Sequence, residues 1–212
     1  MTVESRLGHR QRQAQATRDA VASAARQLFA ERGYTSTTIE AISQAARVPS
    51  QTIYSAFGSK PAILEHIREM WVAETAVREL GARALTLPNP ADRLRQAAHW
   101  TRRQFELGSD VITMYQEAAR SDPRVAKTWA GVLRGRERAI REVLAPFAKQ
   151  DSLDLYITLT LSEIYRSLVL ERGWTPSRYE TWLAQVLIQE LLDHDTKRST
   201  RRQTGRQRRA PG

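Results

Sequence analysis

Apolar residues recur along this chain at the three-and-four spacing of helices, and no stretch alternates as a half-buried strand does. Over residues 14–32, Val21, Ala24, Ala25, Leu28 and Phe29 share one face, and Gly33 ends the run. Thr37 and Glu40 have the spacing of a capping box and open a short helix, with Ile39, Ile42, Ala45 and Ala46 inward. Pro49 then breaks the pattern, because it disfavours the α conformation at the residue before it. A second short helix covers residues 50–57 with Ile53, Ala56 and Phe57 inward, and Gly58 closes it. A longer helix is predicted over 61–85, with Pro61 in its first turn, and Leu87-Pro88-Asn89-Pro90 is a clear break. Residues 91–108, 110–121 and 124–149 follow as helices, with Pro146 marking a kink or stop. The last two runs, 152–171 and 177–194, are apolar nearly all round. The fold class is all-α.

Two short helices joined by a tight turn, with Ser50, Gln51, Thr52, Tyr54 and Ser55 facing outward, describe a helix-turn-helix. The second helix of such a unit enters the major groove. Gln pairs with adenine edges, Ser and Thr reach several bases, and Thr methyls pack on thymine methyls. Tyr54 and Lys60 are placed for phosphates, which position a protein without reading sequence. The same periodicity also fits a helical hairpin whose polar face is simply solvated.

Resemblance to a known family separates the two. Residues 16–64 resemble the DNA-binding domain of the TetR family of bacterial transcriptional regulators. The matching elements are LFAERGY (Leu28 to Tyr34), TTIEAIS, V-x-x-x-T-I-Y (Val48, Thr52, Ile53, Tyr54) and F-G-S-K followed by Leu64. The resemblance covers about a quarter of the chain. Where the family usually has Gly before the Val of the turn, this chain has Arg47, which costs energy at positive φ but sets a cation close to the DNA backbone. Thr38, Arg47, Ser50, Gln51, Thr52, Tyr54, Ser55 and Lys60 are therefore the expected DNA-binding set. The family implies an N-terminal three-helix DNA-binding domain joined to a helical ligand-binding and dimerisation domain, acting as a repressor on an operator.

Charge adds location. The chain of 212 residues carries a net charge of +10. Residues 196–212 hold seven Lys or Arg and no acid, and residues 1–18 hold four Arg and one Glu, so residues 19–195 are formally neutral. The expected division is a basic flexible arm (1–15), a helix-turn-helix domain (16–60), an effector-binding and dimerisation domain (61–195) and a basic disordered tail (196–212). Both ends suit non-specific attraction to nucleic acid, and the tail equally suits a solubilising role. There are no cysteines, hence no disulfide and no thiolate metal site. Neither a signal-type apolar segment nor a run of about 20 apolar residues occurs, so a cytoplasmic bacterial protein without membrane contact is expected.

A helix apolar nearly all round needs two buried faces. Leu155, Leu159, Ser162, Trp182, Val186 and Gln189 are the expected contacts of a symmetric homodimer, and a central place in a monomer is the other reading. The family implies a small-molecule effector in the second domain. Trp100, Arg103, Phe105, Met114, Tyr115, Trp129, Leu133 and Glu163 are the candidates for lining its cavity, and each also suits ordinary packing or surface. Neither a nucleophile elbow, a phosphate-cradling Gly-rich loop nor an H-E-x-x-H pair is present, and His9, His66, His99 and His194 are scattered. No catalytic residue, cofactor or metal is expected. A helix-turn-helix protein without an effector, acting architecturally or constitutively, remains the alternative.

Overall fold

The computed structural model describes residues 3–192, with side chains from residue 8 onward, and no strand occurs among them. The basic tail, 196–212, lies outside the described residues. Among those described, ten α-helices follow in order: α1 (Val3–Arg32), α2 (Ile39–Ala46), α3 (Ser50–Phe57), α4 (Lys60–Thr75), α5 (Val77–Thr86), α6 (Pro90–Ser121), α7 (Pro123–Leu144), α8 (Ser152–Leu159), α9 (Ser162–Tyr165) and α10 (Pro176–Leu191). A π-helical turn, Arg166–Glu171, continues α9. The described residues form two compact units: 3–75 with 108–133, and 76–107 with 134–192. The first unit thus takes in α4 and the 108–133 segment, beyond the expected span of 16–60.

In the first unit, α1 is longer than the expected 14–32. Its described part starts at Val3, so residues 3–13, read as part of a flexible arm, are helical. Residues 9–16 are exposed on every side, which is why no apolar stripe announced them. One stripe of α1 (Val21, Ala22, Ala25, Leu28 and Phe29) is buried with Ile39 and Ile42 of α2, Ile53 and Phe57 of α3, and Ile63, Leu64 and Ile67 of α4. Each large apolar side chain removed from water contributes about 1.5–3 kcal/mol. The helix start at α2 corrects the expected capping box. Thr38, not Thr37, is the N-cap, accepting from the Ala41 N–H at 3.1 Å. Thr37 is buried, and its hydroxyl donates to the Gly33 carbonyl at 2.8 Å.

The expected 61–85 helix ends at Thr75, because Ala76 adopts a left-handed conformation (φ 50°, ψ 36°) and α5 starts after it. The expected helices 91–108 and 110–121 lie end to end within α6, parted by a kink at Gly108, whose backbone is non-helical (φ −158°, ψ 24°). Trp71 explains the bend. A Cβ at residue 108 would lie 2.0 Å from the Trp71 Nε1 and 2.3 Å from its Cε2, so the indole occupies the space that any other side chain needs.

The second unit buries an aromatic core: Trp100 and Phe105 of α6, Tyr156 of α8, Tyr165 of α9, and Tyr179 with Leu183, Leu187 and Leu191 of α10. Tyr165 stacks edge-on against Tyr179 (centroids 4.9 Å apart) and tilted against Phe105 (5.4 Å). The expected 152–171 helix is broken at Thr160 and Leu161. There the Thr160 carbonyl accepts from Arg136 Nη2 at 2.8 Å, and the Ile164 N–H turns to Leu161 at 3.2 Å. Thr175 caps α10 and Pro176 opens it.

Replacing Gly108 with Ala should destabilise the protein by about 1–3 kcal/mol, since the new methyl must displace an indole. Urea unfolding measures this, and adding Trp71→Ala in the same chain should recover part of the loss that Gly108→Ala causes on its own.

Candidate nucleic-acid interface

The turn between α2 and α3 is closed by backbone and one side chain. Arg47 sits in the left-handed region (φ 55°, ψ 39°) with its N–H directed to Gln44 O at 3.4 Å. The Val48 N–H donates to Ser43 O at 3.1 Å, and the Ser43 hydroxyl donates to Val48 O at 2.7 Å. The positive φ that the sequence made conditional is therefore present, in a residue that carries a Cβ and a charge. Pro49 then starts α3, its carbonyl accepting from the Thr52 and Ile53 N–H groups at 2.9 and 3.1 Å.

Burying Ile53 and Phe57 fixes which way α3 faces. Gln51, Thr52, Tyr54 and Ser55 are exposed, Ser50 is half-buried, and Tyr54 keeps 47% of its surface in water. All five polar side chains carry no charge and present amide, hydroxyl and methyl groups. Thr38 and Arg47 are exposed beside them. This surface is suited to base edges through α3 and to phosphates through Arg47 and Tyr54. Arg18 of α1 braces the far side of α3, with its guanidinium 4.4 Å from the Phe57 ring centre and donating to the Ala56 carbonyl.

Lys60 departs from the expected phosphate role. Its ammonium donates to the carbonyls of Tyr34 (2.8 Å), Thr37 (2.9 Å) and Thr35 (3.4 Å), and stands 4.4 Å from the Tyr34 ring centre. Burial lowers its pKa. Three carbonyls satisfy its three protons, so the fold itself uses this cation. Two features were missed in the sequence. Ser43 closes the turn, which no pattern of polar residues signals. The exposed, arginine-bearing first half of α1 is the other, and the run of basic residues was its only trace.

The candidate ligand residues divide between the units. In the first, Met114 and Tyr115 are buried, Trp129 is half-buried and Leu133 is 44% exposed. Trp129 stacks on Tyr115 (centroids 5.1 Å apart), whose hydroxyl donates to Glu65 at 2.6 Å. In the second, Trp100 and Phe105 are buried, Arg103 is half-buried and Glu163 is exposed at the start of α9. A groove of about 310 Å³ in the first unit is lined by Ala22, Arg26, Ile67, Met70 and Asp110 among others, and includes none of these candidates. Of the dimer candidates, Leu155 and Gln189 are exposed, and Leu159, Ser162, Trp182 and Val186 are half-buried. Among the described residues, no group of His, Asp and Glu is arranged to hold a metal ion, and no helix is long and apolar enough to cross a membrane.

Arg47→Gly should separate strain from charge. Relief of the left-handed backbone should stabilise the fold by about 1 kcal/mol in denaturant unfolding. The same change should reduce the slope of log affinity for DNA against log salt by about one, the mark of one lost phosphate contact.

Residues 21–67, the segment that builds this interface, match the family described as bacterial regulatory proteins, tetR family. Comparison with curated proteins gave no match. Among solved structures, the chain is similar to the TetR family transcriptional regulator PfmR from Thermus thermophilus (23% identity, TM-score 0.62, covering 82% of this chain and 95% of that one). It is similar also to the fatty acid degradation regulator FadR from Bacillus halodurans (18%, TM-score 0.67, 83% and 96%). A third is FadR from Bacillus subtilis, solved in complex with stearoyl-CoA (14%, TM-score 0.62, 80% and 96%). These likenesses establish the fold, and the match over 21–67 adds the family's DNA-binding domain. Residues 21–67 thus carry the DNA-binding domain of the tetR family, and the described chain shares the all-α fold of TetR family transcriptional regulators.

Proposed function

We propose that this regulator is a cytoplasmic repressor that binds a palindromic operator as a homodimer and leaves it when a small molecule binds the second unit. The observation that carries this reading is the face of α3, where an uncharged polar surface stands exposed over a buried Ile53 and Phe57. Neutral amide and hydroxyl groups are poor at non-specific attraction and good at base discrimination. That favours a sequence-reading regulator over an architectural binder, whose affinity rests on phosphates.

Support for the dimer comes from α8 and α10. Tyr179, Leu183, Leu187 and Leu191 spend one face of α10 on the unit's own core. Trp182 and Val186 lie off that face and stay half-buried, and Leu155 and Leu161 are 39% and 42% exposed. Apolar surface of this kind on α8, the break after it and α10 is what a two-fold helical interface uses. It also supplies the pair of reading helices that two half-sites one DNA turn apart require.

Release by an effector is a population shift. The ligand must bind the conformation that does not fit the operator better than the one that does. Ala76 and Gly108, the non-helical points at the ends of α4 and within α6, coincide with the boundaries between the units. They are the places where backbone angles can change without disrupting a run of helix. Acyl ligands suit the fold, given the stearoyl-CoA bound to the Bacillus subtilis FadR.

Selection of bound sequences from random DNA should return a palindrome. On that site, Gln51→Ala should cost about 1–3 kcal/mol at particular base pairs, whereas Tyr54→Phe should weaken operator and random DNA alike. Equal effects of both changes on both DNAs would remove base reading from α3. Trp182→Glu should give a monomer in sedimentation and reduce operator affinity by about 100-fold or more, through loss of bivalent engagement, while leaving the helical content unchanged.

A further inference from the structure

The first half of α1 takes no part in the core. Residues 9–16 are exposed on every side, yet α1 is one helix from Val3 to Arg32, and its second half is packed into the first unit. A stretch that is polar all round has no buried face of its own to hold it in place. It is held by continuity, and its base is fixed where α3 ends. Arg18 donates to the Ala56 carbonyl with its guanidinium 4.4 Å from the Phe57 ring centre, and Asp19 meets His66 of α4 at 2.8 Å. The helix-turn-helix thus sets the direction in which the extension leaves the head.

Charge says what this extension meets. From Ser5 to Arg18 the sequence holds four Arg and no acid. Arg10 and Arg12 are exposed, and no carboxylate among the described residues pairs with either. Asp19, the first acid after them, is taken up by His66 and by the Gln15 amide, each at 2.8 Å. Arg26, Arg68 and Arg124 of the same unit are matched by Asp110, Glu65 and Asp122. Two residues apart on a helix, Arg10 and Arg12 project about 200° apart, roughly 12 and 9 Å along the axis from Arg18. Gln11, Ala14 and Gln15 lie between them on the side that Arg18 shares. Cations on both flanks of a neutral strip match the charged walls of a DNA groove, where duplex DNA sets one negative charge per about 1.7 Å. An anionic membrane needs an apolar helix face to bury, and Ala14 and Ala16 are the only apolar residues from 9 to 16.

We infer that the exposed first half of α1 is a second DNA-contacting element, a rigid helix lying on the duplex beside the stretch that α3 reads. Arg10 and Arg12 bind phosphates at its two sides, and the element adds affinity without reading bases. The inference rests on DNA binding by the α3 face and extends the interface beyond the helix-turn-helix.

The test titrates the full chain by fluorescence anisotropy onto two duplexes of about 40 base pairs, one of random sequence and one carrying the selected palindrome. Salt is varied from about 50 to 200 mM KCl. Replacing Arg10 and Arg12 together with Gln should lower the slope of log affinity against log salt by about two, at roughly 0.9 per phosphate, and weaken binding on the order of tenfold. Both duplexes should lose alike, so the preference for the palindrome stays, in contrast to Gln51→Ala. Ala14→Pro keeps both arginines but interrupts the helix between them and the head. It should reproduce most of the loss with the melting temperature unchanged, since residues 9–16 bury nothing in the core. An unchanged slope in the double variant would overturn the element, and parent-like binding by Ala14→Pro would overturn it in favour of a flexible arm. Either result beside a parent that binds DNA leaves the α3 reading intact. A parent that binds neither duplex removes both.

Discussion

The helix-turn-helix depends on a single ammonium ion. Lys60, the first residue of α4, gathers the carbonyls of Tyr34, Thr35 and Thr37 and lies against the Tyr34 ring. Those residues form the link from α1 to α2, so one side chain fixes where α2 starts relative to where α4 starts. Between these fixed points α3 has little freedom, and its outward face is a consequence. Charge-assisted hydrogen bonds of this kind are each worth more than neutral ones, and Thr37 adds its own bond to the Gly33 carbonyl at 2.8 Å. Apolar burial supplies most of the stability, but burial is non-directional. Direction comes from the cation.

The same unit ties its head to the 108–133 segment by ion pairs and hydrogen bonds. Arg26 of α1 holds Asp110 at 2.6 and 2.8 Å, and Tyr115 donates to Glu65 of α4, which also holds Arg68. Glu65 has its pKa lowered, first by the hydrogen bond from Arg68. Its contribution is therefore present above the ordinary carboxylate range and fades as pH falls through the lowered value. Both ties lie on the C-terminal side of the Gly108 bend, the part of α6 that belongs to the head.

Much of this was legible in the sequence because helices in water advertise themselves by their apolar stripes. The stripe of α1, the short pair α2 and α3, the Arg47 turn and the outward set on α3 all followed from period and proline placement. What escaped had no such stripe or depended on distant partners. Residues 9–16 are exposed all round, so nothing marked them as helical. Lys60 looked like a phosphate ligand because sequence shows a charge and not the three carbonyls waiting for it. Thr37 and Thr38 both satisfy the N-cap preference, and only packing chose between them. The break at Thr160 has no Gly or Pro to announce it. There Arg136, 24 positions earlier, takes the Thr160 carbonyl that a continuous helix would have used. The ligand candidates were picked by residue type, and residue type does not say which compact unit a side chain joins.

The seat of Trp71 on Gly108 has a consequence for how this protein can be observed. An indole wedged against bare backbone at a bend has an emission that responds to small changes in its surroundings. Trp100 comes only to 4.0 Å from where a Cβ on Gly81 would lie, an ordinary contact. The chain therefore carries its own optical reporter at the bend in α6, and straightening or tightening of that helix is readable in native fluorescence without a label.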